Sequence, residues 1–296
     1  MLKVIILWLG FTLPLLALEH YEVSVASYQK EGNFFITLRK FKDHEKTYYL
    51  TLNPYTLETA IQELNHVALQ PLDERFKTTP FASLLKQATS FDAKGGAPKA
   101  FTSLSHAIYL TMDLCPSSKK GYENTFLENL TAQNGTTPIS IAVSSAWITH
   151  HESAFKELAN NPRLDITWVN HTFSHFYDPH LPNSKNFMLH PNTNVKQEIL
   201  GLEQTLIEHG VTPSVFFRFP GLIADKALMK ELKETYFLIP LSANAWIAKN
   251  EPVKEGSFIL VHGNKNEPQG IKLLEAKLPK ILKAYQFHAI KEAFVP

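Results

Sequence analysis

Apolar residues in the second half of the chain fall into short runs, and each run stops at a polar or aromatic side chain. Ala107-Ile108-Tyr109-Leu110-Thr111-Met112 ends at Asp113, Ile166-Thr167-Trp168-Val169 leads to His171, and Val215-Phe216-Phe217 ends at Arg218. Phe237-Leu238-Ile239-Pro240-Leu241 leads to Asn244 and Trp246, and Phe258-Ile259-Leu260-Val261 ends at His262. Each of these runs reads as a strand. Between them, Glu152 to Ala159, Val195 to His209, Asp225 to Lys233 and Gly270 to Ala284 carry apolar residues at roughly helical spacing. Strands alternating with helices predict a mainly parallel sheet, and active sites of such sheets collect at the carboxyl ends of the strands. Asp113, His171, Arg218, Trp246 and His262 are therefore expected to converge on one site.

The first hundred residues read differently. Phe34 to Phe41 and Thr47 to Leu52 flank the charged segment Lys42 to Lys46, as a β-hairpin would. Leu57, Ile61, Leu64 and Ala68 share one side of an expected helix over 57–68, and Ala93-Lys94-Gly95-Gly96-Ala97-Pro98 reads as a linker. This separates an accessory segment, 19–100, from a main domain, 101–296. At the start of the chain, Lys3 precedes an apolar stretch from Val4 to Ala17, which fits a secretory leader over residues 1–18 better than a full membrane span. The mature protein is then expected to be secreted or periplasmic, with no stable span after leader cleavage.

Composition narrows the partners. Lys and Arg number 29 against 28 Asp and Glu, a net charge of +1, and no basic block is long enough to track a phosphate backbone. A nucleic-acid binder is thus disfavoured and a neutral or weakly charged partner expected; oligomeric state is not legible. The lone Cys115 has no intramolecular disulfide partner and so does not report the redox compartment.

The pentapeptide His171-Thr172-Phe173-Ser174-His175 carries the most chemistry. Two imidazoles with three residues between them can turn toward one point on a helical turn or tight loop, and neutral imidazole is the commonest protein ligand of transition metals. Thirteen histidines would produce such a spacing by chance, so its position directly after a strand is what gives it weight. Ser144 and Ser145 also end a strand-like run, but a serine hydrolase of this architecture would place its nucleophile in a Gly-x-Ser-x-Gly elbow, which is missing.

Taken in order, these residues resemble the polysaccharide deacetylases with a NodB homology domain, carbohydrate esterase family 4. Thr111-Met112-Asp113-Leu114-Cys115-Pro116 matches in part that family's Thr-Phe-Asp-Asp-Gly-Pro motif, and His171 to His175 matches its His-Ser/Thr-x-x-His motif in full. Arg218-Phe219-Pro220-Gly221 is similar to Arg-x-Pro-x-Gly with the glycine one place early, Ala245-Trp246 to an Asp-Trp pair, and Leu260-Val261-His262 to Leu-x-His. The resemblance covers residues from about 101 to the C-terminus. It implies a distorted (β/α) barrel with a small N-terminal α+β extension, and a metal-dependent hydrolase that removes acetyl groups from a carbohydrate polymer or oligosaccharide. It also implies roles: Asp113 as general base, His171 and His175 as ligands of a divalent transition metal, above all Zn2+, Arg218 as the residue orienting the base, Trp246 as a substrate-pocket wall and His262 as general acid.

One departure bears directly on the metal. Leu114 stands where the family has a metal-binding aspartate, and a leucine coordinates nothing. Three arrangements remain open at this stage: Asp113 itself becomes the third ligand, Cys115 contributes a thiolate, or the site holds little metal and the protein is a non-catalytic glycan-binding cell-envelope protein.

Overall fold

The computed structural model describes residues 18–87, 95–102 and 104–295, so the expected leader lies outside the described residues except for Leu18. No helix among the described residues is long and apolar enough to cross a membrane.

The chain opens with an antiparallel sheet of four strands in sequence order, β1 (Glu19–Lys30), β2 (Asn33–Asp43), β3 (Lys46–Leu52) and β4 (Thr59–Gln62). The hairpin expected between Phe34 and Leu52 is β2–β3, with Asp43 paired to Lys46 across the turn. The helix expected over 57–68 is not formed. Asn53 Oδ1 accepts the Tyr55 and Thr56 amides in a turn that reverses the chain, and Ala60 and Ile61 then pair with Thr51 and Leu50 of β3. A waiting strand edge outcompetes local helical spacing, and the β-branched Thr59 and Ile61 suit an extended backbone. Two short helices follow, α1 (Glu74–Lys77), capped by the Asp73 carboxylate, and α2 (Pro80–Gln87), whose Phe81, Leu84 and Leu85 are buried.

The second unit alternates strand and helix as the pattern predicts: β5 (Ala107–Leu114), α3 (Asn124–Asn134), β6 (Thr137–Val143), α4 (Ser145–His150), α5 (Glu152–Ala159), β7 (Leu164–Asn170), α6 (Val195–Glu208), β8 (Phe216–Phe217), α7 (Lys226–Glu234), β9 (Ile239–Pro240), β10 (Ala245–Trp246), β11 (Phe258–His262), α8 (Pro268–Ala284) and β12 (Gln286–Phe287). Side-chain caps mark several helix starts: Ser144, Asn194 and Asp225 accept the first-turn amides of α4, α6 and α7. The sheet runs β10-β11-β5-β6-β7-β8-β9, with β12 also paired to β5, and every pairing is parallel. It is a curled, incomplete barrel.

Strand alternation sorts β5 into two faces. Ile108, Leu110, Met112 and Leu114 pack outward in a core shared with Phe126 and Leu130 of α3 and Leu274 and Leu278 of α8. Ala107 and Tyr109 face inward, in a second core that also contains Ile36, Leu38 and Leu52 of the N-terminal sheet and Phe81 and Leu84 of α2. The N-terminal sheet therefore packs into the same interior as the barrel strands. A buried ion pair fixes it in place: Arg39 of β2 donates from Nε and Nη2 to the two oxygens of Glu203 on α6, at 2.6 and 2.9 Å. Tyr21 donates its hydroxyl to the same carboxylate at 2.9 Å.

The expected linker is packed rather than loose. Ala93 and Lys94 lie outside the described residues, but the Ala97 amide donates to Pro240 O, Ala97 O accepts the Ser242 amide, and Lys99 bridges Ser257 just before β11. At Gly96, with φ +135°, a Cβ would lie 2.4 Å from the Pro240 carbonyl carbon. Glycine at this point serves close backbone approach, a use that sequence alone does not distinguish from flexibility.

Candidate metal centre and active site

The register of the parallel sheet gathers the site. Asp113 pairs with His262 on one side and Ala142 on the other. The His171 amide donates to Val143 O and the Arg218 amide to Asn170 O, continuing the ladders by one residue past β7 and β8. Five strand ends thus stop at one level, and the side chains expected to converge do so. They line a cleft of about 530 Å³ together with Cys115, Pro116, Phe176, Tyr177 and Phe187; Arg218 sits behind this wall.

Asp113 and Arg218 are both buried. Arg218 Nη1 donates to Asp113 Oδ1 at 2.6 Å and to Thr111 Oγ1 at 2.8 Å, and Nη2 donates to the Ser242 carbonyl at 3.0 Å. Asp113 Oδ2 makes no such bond; it lies 3.8 Å from His171 Nε2. Burial alone would raise the Asp113 pKa, but the positive charge of Arg218, helped by His171 and His262, outweighs it and holds the carboxyl below the usual range.

The histidine loop is a tight turn, not a helix. Thr172 and His175 both have positive φ, 73° and 48°. Asn170 Oδ1 accepts the Thr172 amide, Thr172 Oγ1 accepts the His175 amide, and Glu198 of α6 accepts the Ser174 amide and hydroxyl. A β-branched residue at positive φ is costly, so the surrounding bonds must hold it there. His171 Nδ1 lies 2.8 Å from Arg218 O, and a carbonyl only accepts, so Nδ1 carries the proton and the Nε2 lone pair faces the cleft. The His175 ring meets His171 edge-on at 4.7 Å between centroids, and its buried Nε2 has no hydrogen-bond partner. Cys115 Sγ is 3.5 Å from His171 Nε2. Burial pushes the Cys115 thiol up, yet His175, His171 and His262 together bring it well below its ordinary value.

Three-atom groups of donors within 4.8 Å of one another are, among the described residues, Cys115 with His171 and His175, and Cys115 with Asp113 and His262. Two imidazole nitrogens, one of them orphaned, and a sulfur make a donor set that suits zinc. Asp113 does not join both histidines in one group.

His262 closes the opposite wall. Its Nδ1 lies 2.8 Å from Glu267 Oε2, which also accepts the Trp246 indole N–H at 3.1 Å. Burial would lower the His262 pKa, but bonding to Cys115 and Glu267 pushes it up to about 10. Sequence reading missed Glu267; its signal, a carboxylate five residues beyond His262, is too weak to notice without the fold. Trp246 lines the cleft and carries the Lys249 ammonium over its ring at 3.4 Å. Phe176 and Tyr177, also unanticipated, are exposed at the rim, and Tyr177 stacks on Phe187, whose ring lies against Gly221 where a Cβ would come within 2.7 Å. Ser144 caps α4 and donates its hydroxyl to the Leu114 carbonyl at 3.3 Å, bonds that tie α4 to β5.

No protein-family model matches the chain. Among solved structures it is similar to a family 4 carbohydrate esterase from Bacillus anthracis, with a TM-score of 0.53 and 17% identity over 72% of this chain and 90% of that one. It is similar to PdaA of Bacillus subtilis, also a family 4 carbohydrate esterase, with a TM-score of 0.53 and 16% identity over 78% and 92%. The fold is that of the family 4 carbohydrate esterases. The Bc1960 peptidoglycan N-acetylglucosamine deacetylase, solved with a benzamide derivative, gives a TM-score of 0.52 at 16% identity over 67% and 91%. On this esterase fold, Leu114 points away from the site into the outer core, and Cys115, the residue just past β5, lines the cleft.

Proposed function

We propose that this protein is a metal-dependent hydrolase that removes acetyl groups from a carbohydrate, acting outside the cytoplasm after cleavage of the apolar leader. The observation that carries the reading is the cleft itself. A carboxylate with one uncommitted oxygen shares the cleft with a histidine held positively charged and with two imidazole nitrogens, that of His175 without a hydrogen-bond partner and that of His171 beside Cys115 Sγ. The exposed rings of Phe176 and Tyr177 at the rim, with Trp246 inside, offer flat apolar faces to a sugar.

His171 and His175 would hold the ion, which when bound polarises the acetyl carbonyl and eases deprotonation of water. Asp113 Oδ2 takes the proton of the attacking water, while Arg218 keeps the carboxylate ionised and aimed through Oδ1. His262, its Nδ1–H donating to Glu267, gives the Nε2 proton to the leaving nitrogen as the carbon–nitrogen bond breaks, so acetate and a free amine depart.

The test is acetate release from N-acetylglucosamine oligomers and from peptidoglycan by zinc-loaded protein, with chelated protein as control. His262→Ala should lower turnover on the amide by about 10²–10⁴-fold. It should cost an O-acetyl ester less, because an alkoxide leaves more readily than an amide anion. Glycan binding with no acetate release from any substrate would instead favour the non-catalytic reading.

A further inference from the structure

We infer that Cys115 is the third metal ligand of this centre, replacing a carboxylate with a thiolate and leaving Asp113 free as base. The inference rests on the proposed placement of the ion at His171 and His175.

Three observations carry it. First, β5 remains regular through Leu114, which pairs in register with Val143 and is buried in the outer core. Any side chain at 114 would point away from the histidines, and alternation returns the chain to the site at Cys115. The turn beyond is held in place: Asn264 Nδ2 donates to Cys115 O at 2.9 Å and Asn266 Nδ2 to Pro116 O at 3.2 Å.

Second, the spacing suits a shared ion. Tetrahedral zinc with a sulfur at about 2.3 Å and a nitrogen at about 2.0–2.1 Å separates those two atoms by about 3.6 Å. Cys115 Sγ and His171 Nε2 are 3.5 Å apart. His175 Nε2, buried and without a partner, completes the group within 4.8 Å. That separation serves an ordinary sulfur–imidazole hydrogen bond, and it is equally the one that two ligands of a single ion adopt.

Third, the alternative ligand is engaged elsewhere. Asp113 Oδ1 is held by Arg218, and Asp113 groups with Cys115 and His262 rather than with both His171 and His175. In that second group, His262 already bonds Glu267 through Nδ1. A sulfur and two imidazoles form a softer set than a carboxylate and two imidazoles, so the centre should select zinc over manganese or magnesium.

Cobalt(II) tests this directly, because a cysteine thiolate bonded to cobalt adds a near-ultraviolet charge-transfer band that carboxylate and imidazole ligands do not produce. The full-length mature protein, stripped of metal, should show that band on titration with cobalt. Asp113→Asn should keep it. Cys115→Ser should lose it and weaken cobalt binding by at least about tenfold, since even removal of an outer-sphere partner costs that much. Cys115→Asp should recover affinity without the band, a control against a general folding defect in the serine variant. Cobalt bound by the wild type through visible bands alone, without the charge-transfer band, would overturn the thiolate ligand while leaving the metal-dependent reading intact. Failure of the wild type to bind cobalt or zinc at all would overturn both.

Discussion

Two buried arginines anchor this molecule, and they are partnered in opposite ways. Arg39, between the N-terminal sheet and α6, donates to both oxygens of Glu203 and to the Leu38 and Tyr236 carbonyls, while Tyr21 adds a further donor to the carboxylate. Both charges are fully spoken for. Arg218, at the strand ends, reaches only one oxygen of Asp113, and its own Nε is buried without a partner. Ion pairs removed from water hold together well only when their remaining lone pairs and protons are satisfied. By that criterion the first pair is structural and the second is left unfinished, with a carboxylate oxygen facing the cleft. The difference is how a fold uses the same two groups either to hold itself together or to present an open carboxylate oxygen to a cleft.

The largest effect should come from breaking the finished pair. Glu203→Ala strands a buried guanidinium and should lower stability by about 3–5 kcal/mol in urea denaturation. Replacing both partners, Arg39→Met with Glu203→Leu, should recover most of that loss. If the single variant cost nothing, the distinction between the two arginines would collapse. Next, Asp113→Asn keeps an oxygen for Arg218 to bond but removes the base. Acetate release should fall by about 10²–10⁴-fold with the circular dichroism spectrum unchanged. Arg218→Lys should cost about 10²-fold, since a lysine cannot bond Thr111, Asp113 and the Ser242 carbonyl together and the base loses its aim.

The smallest effect concerns His262. Its folded-state pKa of about 10 exceeds the unfolded value of about 6.5. The stabilisation that the charged ring gains from Cys115 and Glu267 is therefore complete below about pH 6.5 and is lost as the pH rises through about 10. Glu267→Gln should bring that upper limit down. The difference in urea midpoint between wild type and variant, followed from pH 6 to pH 10.5 in metal-free protein, should shrink with rising pH; a constant difference would place the pKa shift elsewhere.

The site was more legible in the sequence than the parts that support it. Asp113, His171, His175, Arg218, Trp246 and His262 all follow apolar runs, and the parallel register fixes where such runs end. Glu267 and the carbonyls of Ser242 and Arg218 escaped notice because backbone acceptors have no residue type and a lone carboxylate has no pattern. The expectation over 57–68 failed for a different reason. Helical spacing is local, whereas the unpaired edge of β3 that captures Ala60 and Ile61 is created by a distant hairpin. Leu114 illustrates the limit most clearly: a motif counts positions, but strand alternation decides which of them face inward.

The segment from Gly95 to Ala100 has a consequence for where this protein can be cut. It passes between Leu241, just past β9, and Ser257 ahead of β11, and Ala97 O receives the amide of Ser242, whose own carbonyl holds Arg218. A fragment trimmed to 101–296, the natural choice from motif boundaries, would remove the hoop from an open barrel. The seam beside Arg218 would be the first place to part, so the smallest faithful version of this protein includes chain that carries none of its motifs.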